Sequence, residues 1–180
     1  MISIKKAYKS EYAAIKKIYL ESFPLVERKP LALIKYKVKK GSAQILCLKA
    51  DKQVCGLIIT AQHNDIMLVD YFAIDAKFRN KGIGTEAIKE FLKVYSEQYR
   101  VFLEIEKPDT SDVLKARRKA FYMRNGLSCS GTEISLFGVP MELLYATKPV
   151  DFDEYYELYE KVYGKIWARG VKFVKQNNEI

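Results

Sequence analysis

The chain has 180 residues, long enough for one domain with a proper core, and its 49% hydrophobic and 29% charged content excludes a wholly disordered chain. No segment approaches the roughly 18 apolar residues that span a bilayer, and Met1-Ile2-Ser3-Ile4-Lys5-Lys6 lacks the apolar core of a signal peptide, so no membrane partner is expected. The net charge of +9 suits a nucleic-acid binder and a protein that grips a polyphosphate equally well. The lysines are scattered over the first 120 residues without a basic run, which disfavours nucleic acid as a partner.

In chain order, Ile2 to Lys6 alternates as a short strand. Ser10 is placed to cap a helix over Glu11–Ser22, with Tyr12, Ile15, Ile18 and Tyr19 at helical spacing. Phe23-Pro24 breaks it, and a second helix runs from Pro30, in its first turn, to Val38. After Gly41 a three-strand meander is expected: Ala43–Lys49, Val54–Ala61 and Ile66–Ile74, with turns at Asp51-Lys52-Gln53 and His63-Asn64-Asp65. Gly82 and Gly84 open a helix reaching Tyr99, with Ala87, Ile88, Phe91, Val94 and Tyr95 inward. A strand at Val101–Ile105, a loop at Pro108-Asp109-Thr110 and a helix capped by Asp112 follow, the last with Val113, Ala116, Ala120 and Met123 as its inward stripe.

Asn125-Gly126 stops that helix. Strands near Ser128–Leu136 and Met141–Thr147 pair around Gly138-Val139-Pro140. Beyond Pro149, Phe152, Tyr155, Tyr159, Val162 and Ile166 mark a last amphipathic helix. Its aromatic residues, with Tyr156, Tyr163 and Trp167, are expected to pack on the domain's own sheet. Disorder is expected only in the polar end, Gln176 to Glu179. The order β-αα-βββ-α-β-α-ββ-α combines an antiparallel meander with one parallel crossover, so the fold class is α+β. The division expected is residues 1–148 as the main domain and 149–180 as a helical extension packed on it.

Arg79-Asn80-Lys81-Gly82-Ile83-Gly84-Thr85, between a buried strand and an amphipathic helix, is the most informative segment. The first turn of a helix offers unpaired N–H groups and the positive end of the macrodipole, and glycine lets backbone approach an anion. No GxxxxGK[ST] string occurs, which excludes a P-loop. Gly82 to Ala87 fits the G-x-G-x-x-A of a dinucleotide turn, with Glu104 about 20 residues on as a ribose-binding acid. Against that, the glycines lie seven residues past Ile74 and no further β-α alternation follows. A glycine-rich helix start without a ligand stays open on spacing alone.

Arg79-Asn80-Lys81-Gly82-Ile83-Gly84 resembles the R/Q-x-x-G-x-G/A signature of GNAT acyltransferases, and Ala120-Phe121-Tyr122-Met123-Arg124-Asn125-Gly126-Leu127 resembles their A-x-x-F-Y-x-x-x-G-F segment. The resemblance covers residues 2 to about 147 and implies a central mixed, mostly antiparallel sheet flanked by helices, with the last helix as an addition. It implies acetyl-CoA as co-substrate and an N-acetyltransferase reaction. Tyr71-Phe72-Ala73-Ile74 is similar to the family's central strand, so Phe72, Ala73 and Ile74 would bond pantetheine through their backbone. Arg79, Asn80, Lys81, Gly82, Ile83, Gly84 and Thr85 would hold the diphosphate. Tyr122 matches the family's general acid. Lys115 stands where the family often has an asparagine, with Arg117 and Arg118 beside it as further candidates.

Glu104 and Glu106 share one side of their strand and are candidates for deprotonating the amine. Asp70, alone in an apolar run, is either a paired buried charge or an acceptor-site group. Glu21, Glu27 and Arg28 flank the Phe23-Pro24 break and are weaker candidates for acceptor contact. His63 is the one histidine, and no metal is expected. Three cysteines without CxxC spacing, two of them in apolar runs, point to the cytoplasm. The acceptor is a small-molecule or peptide amine of unassigned identity, and a homodimer is left open. A non-catalytic CoA-binding module is the main alternative, with a nucleic-acid-binding protein behind it.

Overall fold

Among the residues that the computed structural model describes, 2–109 and 112–176, the backbone forms eight strands and six helices. The expectations placed on Met1, on Thr110 and on the polar end beyond Gln176 lie outside the described residues. Two compact units divide the chain: one holds the residues up to Ala61 with Val69–Lys93, the other Gln62–Leu68 with everything from Val94 on.

The first unit begins with β1 (Ile2–Lys6), α1 (Tyr12–Ser22), α2 (Leu31–Lys39), β2 (Ala43–Ala50) and β3 (Gln53–His63). β1 pairs antiparallel with β2, and β2 with β3, so that Cys47 faces Leu57 and Ile45 faces Ile59. Those side chains meet Ile15, Ile18 and Tyr19 of α1 and Ile34 of α2 in one apolar cluster, which the helical spacing of α1 anticipates. Ser10 is not a cap. A 3-10 turn over Lys9–Glu11 precedes α1 instead, and the Glu11 carboxylate accepts the Tyr8 N–H at 2.8 Å. Pro30 is the N-cap of α2, and Gly41, at φ 78°, ends the turn after it in the left-handed region.

β4 (Ile66–Ile74) has the expected limits. Its second half closes the first unit's strand order, β1-β2-β3-β4. α3 (Ile83–Tyr95) buries Ala87, Ile88, Phe91 and Leu92, while Val94 lies off that face and is exposed; the helix stops at Tyr95, short of Tyr99.

In the second unit the start of β4 pairs parallel with β5 (Arg100–Glu106), Ile66 against Arg100 and Leu68 against Phe102, completing a strand-helix-strand crossover. α4 (Val113–Arg124) leads to β6 (Ser128–Leu136) and β7 (Val139–Tyr145), which pair antiparallel about a two-residue turn. Phe137 (φ 50°) and Gly138 (φ 88°) both take the left-handed values such a hairpin needs. β7 also pairs antiparallel with β5.

Asp151 caps α5 (Phe152–Tyr163), and Gly164 separates it from the short α6 (Lys165–Ala168). Tyr155, Tyr159 and Tyr163 are buried, and Tyr155 packs edge-on to Phe102 of β5, as expected for a stripe on the unit's own sheet. Ile166 is 81% exposed, since the break at Gly164 ends the stripe. A last strand, β8 (Val171–Gln176), was not anticipated; it pairs antiparallel with β6, giving the order β4-β5-β7-β6-β8. The class is α+β, a mixed and mostly antiparallel sheet with flanking helices.

Candidate active site

In the first unit, Phe72, Ala73 and Ile74 end β4, and the chain then makes a 3-10 turn over Ala76–Phe78. Asp75 fixes that turn by accepting the Lys77 N–H at 2.9 Å. Asn80 (φ 60°) and Gly82 (φ 76°) are both left-handed, and a Cβ at Gly82 would meet nothing within 4 Å, so the glycine is there for its backbone rather than for space. The first helical bond of α3 joins the Glu86 N–H to the Gly82 carbonyl at 3.0 Å. The amides of Ile83, Gly84 and Thr85 therefore precede the ladder, at the positive end of the helix.

Arg79 reaches back, its Nε donating to the Ile74 carbonyl at 2.9 Å, which leaves its terminal nitrogens for another acceptor. Lys81 lies over the Phe78 ring. Backbone amides at a helix start, a left-handed pair and two cations form a turn suited to a diphosphate.

Gly56 on β3 has a role here that the strand reading did not single out. A Cβ at that position would sit 2.5 Å from the Ala73 carbonyl oxygen, and the neighbouring Cys55 carbonyl accepts the Asp75 N–H at 2.8 Å. The two backbones approach where β4 hands over to the turn. A glycine inside a strand pattern is the signal for such an approach.

Asp70 belongs to the same unit and is a paired buried charge. The Lys29 ammonium stands 2.7 Å from Oδ1, with the two side chains 6% and 1% exposed. Tyr71 OH donates to the Glu27 carbonyl and accepts the Lys29 N–H, each at 2.9 Å, and Tyr19 OH donates to the Lys29 carbonyl at 2.9 Å. Burial, with the nearby Asp70 charge, pushes the Tyr71 phenol far above its usual range, so it serves as a hydrogen-bonding group. The loop after α1 is thus stapled to β4, and Glu27 takes part through its backbone. Glu21 is a solvated helix charge, 3.8 Å from Lys17.

In the second unit, Tyr122 is buried near the end of α4, its ring 5.2 Å from that of Phe121. Its hydroxyl has no hydrogen-bond partner among the described residues. Burial pushes its pKa up to about 12, so the group keeps its proton at neutral pH. Asp112 caps the helix by accepting the Leu114 and Lys115 N–H groups at 3.0 Å each, and the Asn125-Gly126 stop forms as expected.

The inward face of α4 differs from the expected one. Val113, Ala116, Ala120 and Met123 are all exposed, whereas Lys115, Lys119 and Tyr122, at the same spacing but rotated, are withdrawn from solvent. Lys115 Nζ lies 2.8 Å from Glu106 and Arg118 3.9 Å from it; Lys119 pairs with Glu142 of β7. The lysine in the expected asparagine position therefore ties α4 to the end of β5. Arg117 is exposed.

Glu104 and Glu106 part company. Glu106 is answered by two cations, while Glu104 accepts a hydrogen bond from Tyr155 OH of α5. Tyr155 was read as an aromatic for packing, and its hydroxyl gave no periodic signal. His63 meets Glu157 at 3.3 Å. Among the described residues no three His, Cys, Asp or Glu side chains form a metal-binding cluster, Cys47, Cys55 and Cys129 are free thiols, and no helix is long and apolar enough to cross a membrane.

The sequence matches the family described as the acetyltransferase (GNAT) family over residues 12–124. No curated protein matches it. Among solved structures, a GNAT-family protein from Bacteroides thetaiotaomicron is similar with TM-score 0.75 at 22% identity, over 91% of this chain and 99% of that one. A GNAT family acetyltransferase from Elizabethkingia anophelis with acetyl-CoA bound has TM-score 0.55 at 17% identity, over 80% and 96%. A ribosomal-protein-alanine N-acetyltransferase from Brucella melitensis has TM-score 0.59 at 16% identity, over 79% and 98%. These likenesses carry the fold.

Proposed function

The chain belongs to the acetyltransferase (GNAT) family, and on that premise we propose that it transfers an acetyl group from acetyl-CoA to a primary amine by direct attack. The observation that carries the reading is the turn from Arg79 to Thr85, where three helix-start amides, left-handed Asn80 and Gly82, and the Arg79 and Lys81 cations suit a diphosphate. The backbone of Phe72, Ala73 and Ile74 would take the pantetheine amides.

Acetyl-CoA supplies the thioester carbon. The amine nitrogen attacks it, the C–N bond forms, the C–S bond breaks, and the nitrogen gives up a proton. Glu104 is assigned to receive that proton, directly or through water, with Tyr155 holding the carboxylate. Glu106, neutralised by Lys115 and Arg118, is assigned to anchoring the helix that bears Tyr122. Tyr122, with its proton retained and its hydroxyl unengaged among the described residues, is assigned to stabilising the departing thiolate. A thiol ordinarily titrates near 8.5, so a phenol at about 12 acts mainly as a hydrogen-bond donor, full transfer being uphill. The acceptor class is a peptide or small-molecule amine, the former being what the Brucella melitensis protein's name describes.

The test is the melting temperature with and without excess acetyl-CoA, in wild type and Gly84→Glu. Ligand at about 100 times its Kd should stabilise the fold by about 2.7 kcal/mol, and the variant should lose the rise while staying folded. Thiol release over a panel of amines and peptides then reads turnover. No rise in wild type overturns the acetyl-CoA assignment, and a rise with no turnover on any amine reduces the protein to a CoA-binding module.

A further inference from the structure

The net charge of +9 is confined to one stretch of the chain. The first 50 residues hold 12 Lys+Arg against 3 Asp+Glu, and the remainder holds 19 of each, so the whole excess lies in the part of the first unit running from β1 to β2. Spread along the sequence these lysines read as dispersed, but folding gathers them. Lys9, Tyr12 and Lys16 are three and four residues apart, along one row of α1 and the turn before it.

Lys35 of α2 crosses to that row, its ammonium 4.8 Å from the Tyr12 ring centroid. Lys39 lies one turn further along α2. Tyr36, 52% exposed, has Lys37 and Lys40 against its ring at 5.3 and 5.7 Å, and Tyr8, beside Lys9, is 66% exposed. The acids of this stretch do not neutralise the row: Glu11 is held by Lys49 and Glu21 by Lys17. Among the described residues Lys9, Lys16, Lys35, Lys39 and Lys40 form no ion pair.

Bringing this many cations together costs self-repulsion that a polyanion would relieve. The exposed rings select which polyanion. Phenols flanked by ammonium groups are stacking platforms for bases. A bilayer surface calls for a stripe of aliphatic side chains to insert, and on these two helices Ile15, Ile18 and Ile34 are turned into the core, leaving Leu20 at the end of α1, with Leu25 and Val26 in the turn after it, as the exposed aliphatics. We propose that the α1–α2 face binds single-stranded nucleic acid, with phosphates on Lys9, Lys16, Lys35, Lys39 and Lys40 and bases stacked on Tyr8 and Tyr36. Binding is independent of base sequence, since the contacts are to backbone and to ring faces.

The experiment is fluorescence anisotropy of a labelled oligouridylate against full-length protein, with KCl varied. Four to five phosphate contacts predict a slope of log K on log salt of about −3. The combined variant Lys35→Glu, Lys39→Glu, Lys40→Glu should flatten that slope by about 2 and lose at least tenfold in affinity. Tyr36→Ala, which leaves the charge untouched, should weaken binding several-fold without changing the slope. The control Lys161→Glu with Lys165→Glu, at exposed positions of the second unit, should bind like wild type. Absence of binding at low salt overturns the proposal, as does equal loss in the control or binding to phosphatidylserine vesicles in place of the oligonucleotide. If the triple variant melts early, Tyr36→Ala decides alone: unchanged affinity then overturns it.

Discussion

In the second unit Arg100 holds Asp65 and Glu154, Lys107 and Lys175 hold Glu133, Lys115 holds Glu106 and Lys119 holds Glu142. In the first unit Lys9, Lys16, Lys35, Lys39 and Lys40 of the α1–α2 face hold no carboxylate among the described residues, and the most deeply buried charge pair is that of Lys29 and Asp70. The same residue type thus serves two purposes. Where a cation meets a glutamate on a strand, it fastens a helix or an edge strand to the sheet. Where it faces only water and other cations, it contributes little to the fold and is free to meet a ligand. What a substitution does therefore depends on which side of that division its lysine sits.

The largest effect is expected at Lys29, a first-unit lysine that behaves as a fastener and the more deeply buried of two, the other being Lys49 on Glu11. Lys29→Met removes the ammonium from a carboxylate that is 1% exposed, and breaking a buried pair from one side costs roughly 3–5 kcal/mol. The double change Lys29→Met with Asp70→Leu removes both charges and should recover most of the loss. Urea denaturation of the two variants reads this directly. A single variant as mild as a surface lysine change would show that the pair is solvated.

Acid should loosen the second unit through its paired carboxylates. The hydrogen bonds from Arg100 hold Asp65 and Glu154 below the usual carboxylate range. A carboxyl whose folded pKa is depressed stabilises the fold above its unfolded value, near 4, and that contribution is lost as pH falls through the folded value. The melting temperature of the wild type should therefore drop as pH falls below about 4. Arg100→Gln should start lower at neutral pH and drop less over the same range. Parallel curves would detach Arg100 from the acid response.

The comparison also explains what could be read from the sequence. The limits of β4, the Asp112 cap, the Asn125-Gly126 stop and the left-handed turn that opens α3 depend on local chemistry, and each is legible one residue at a time. The inward face of α4 departs from its apolar periodicity for a physical reason. Apolar periodicity assigns Val113, Ala116, Ala120 and Met123 to the core, but strand glutamates attract the long side chains of Lys115 and Lys119, and the face turns with them. No inspection of the helix alone reveals its partners on β5 and β7. β8 was missed because five of its six residues are exposed, so it lacks a buried alternation and owes its existence to an open edge of β6. Gly56 was legible in principle, as a glycine inside a strand, and its meaning lay in the approach of Ala73.

The smallest expected effect discriminates most sharply between the two kinds of lysine. Lys35→Glu, Lys39→Glu and Lys40→Glu, singly, should each change stability by no more than about 1 kcal/mol, because exposed charges without a carboxylate partner lose only a solvent-exposed ring contact or a favourable place at the end of α2. At low ionic strength that cost should shrink, since each reversal lowers the repulsion within a stretch of net charge +9. Lys119→Glu is the matched case in the second unit. It sets a like charge against Glu142, which is 7% exposed, and should cost more than about 1 kcal/mol. If the α2 reversals cost as much as Lys119→Glu, their lysines are part of the fold's internal bonding, and the α1–α2 face loses its standing as a free surface. If they are neutral for stability and still abolish oligouridylate binding, selection for a ligand accounts for the charge better than selection for the fold.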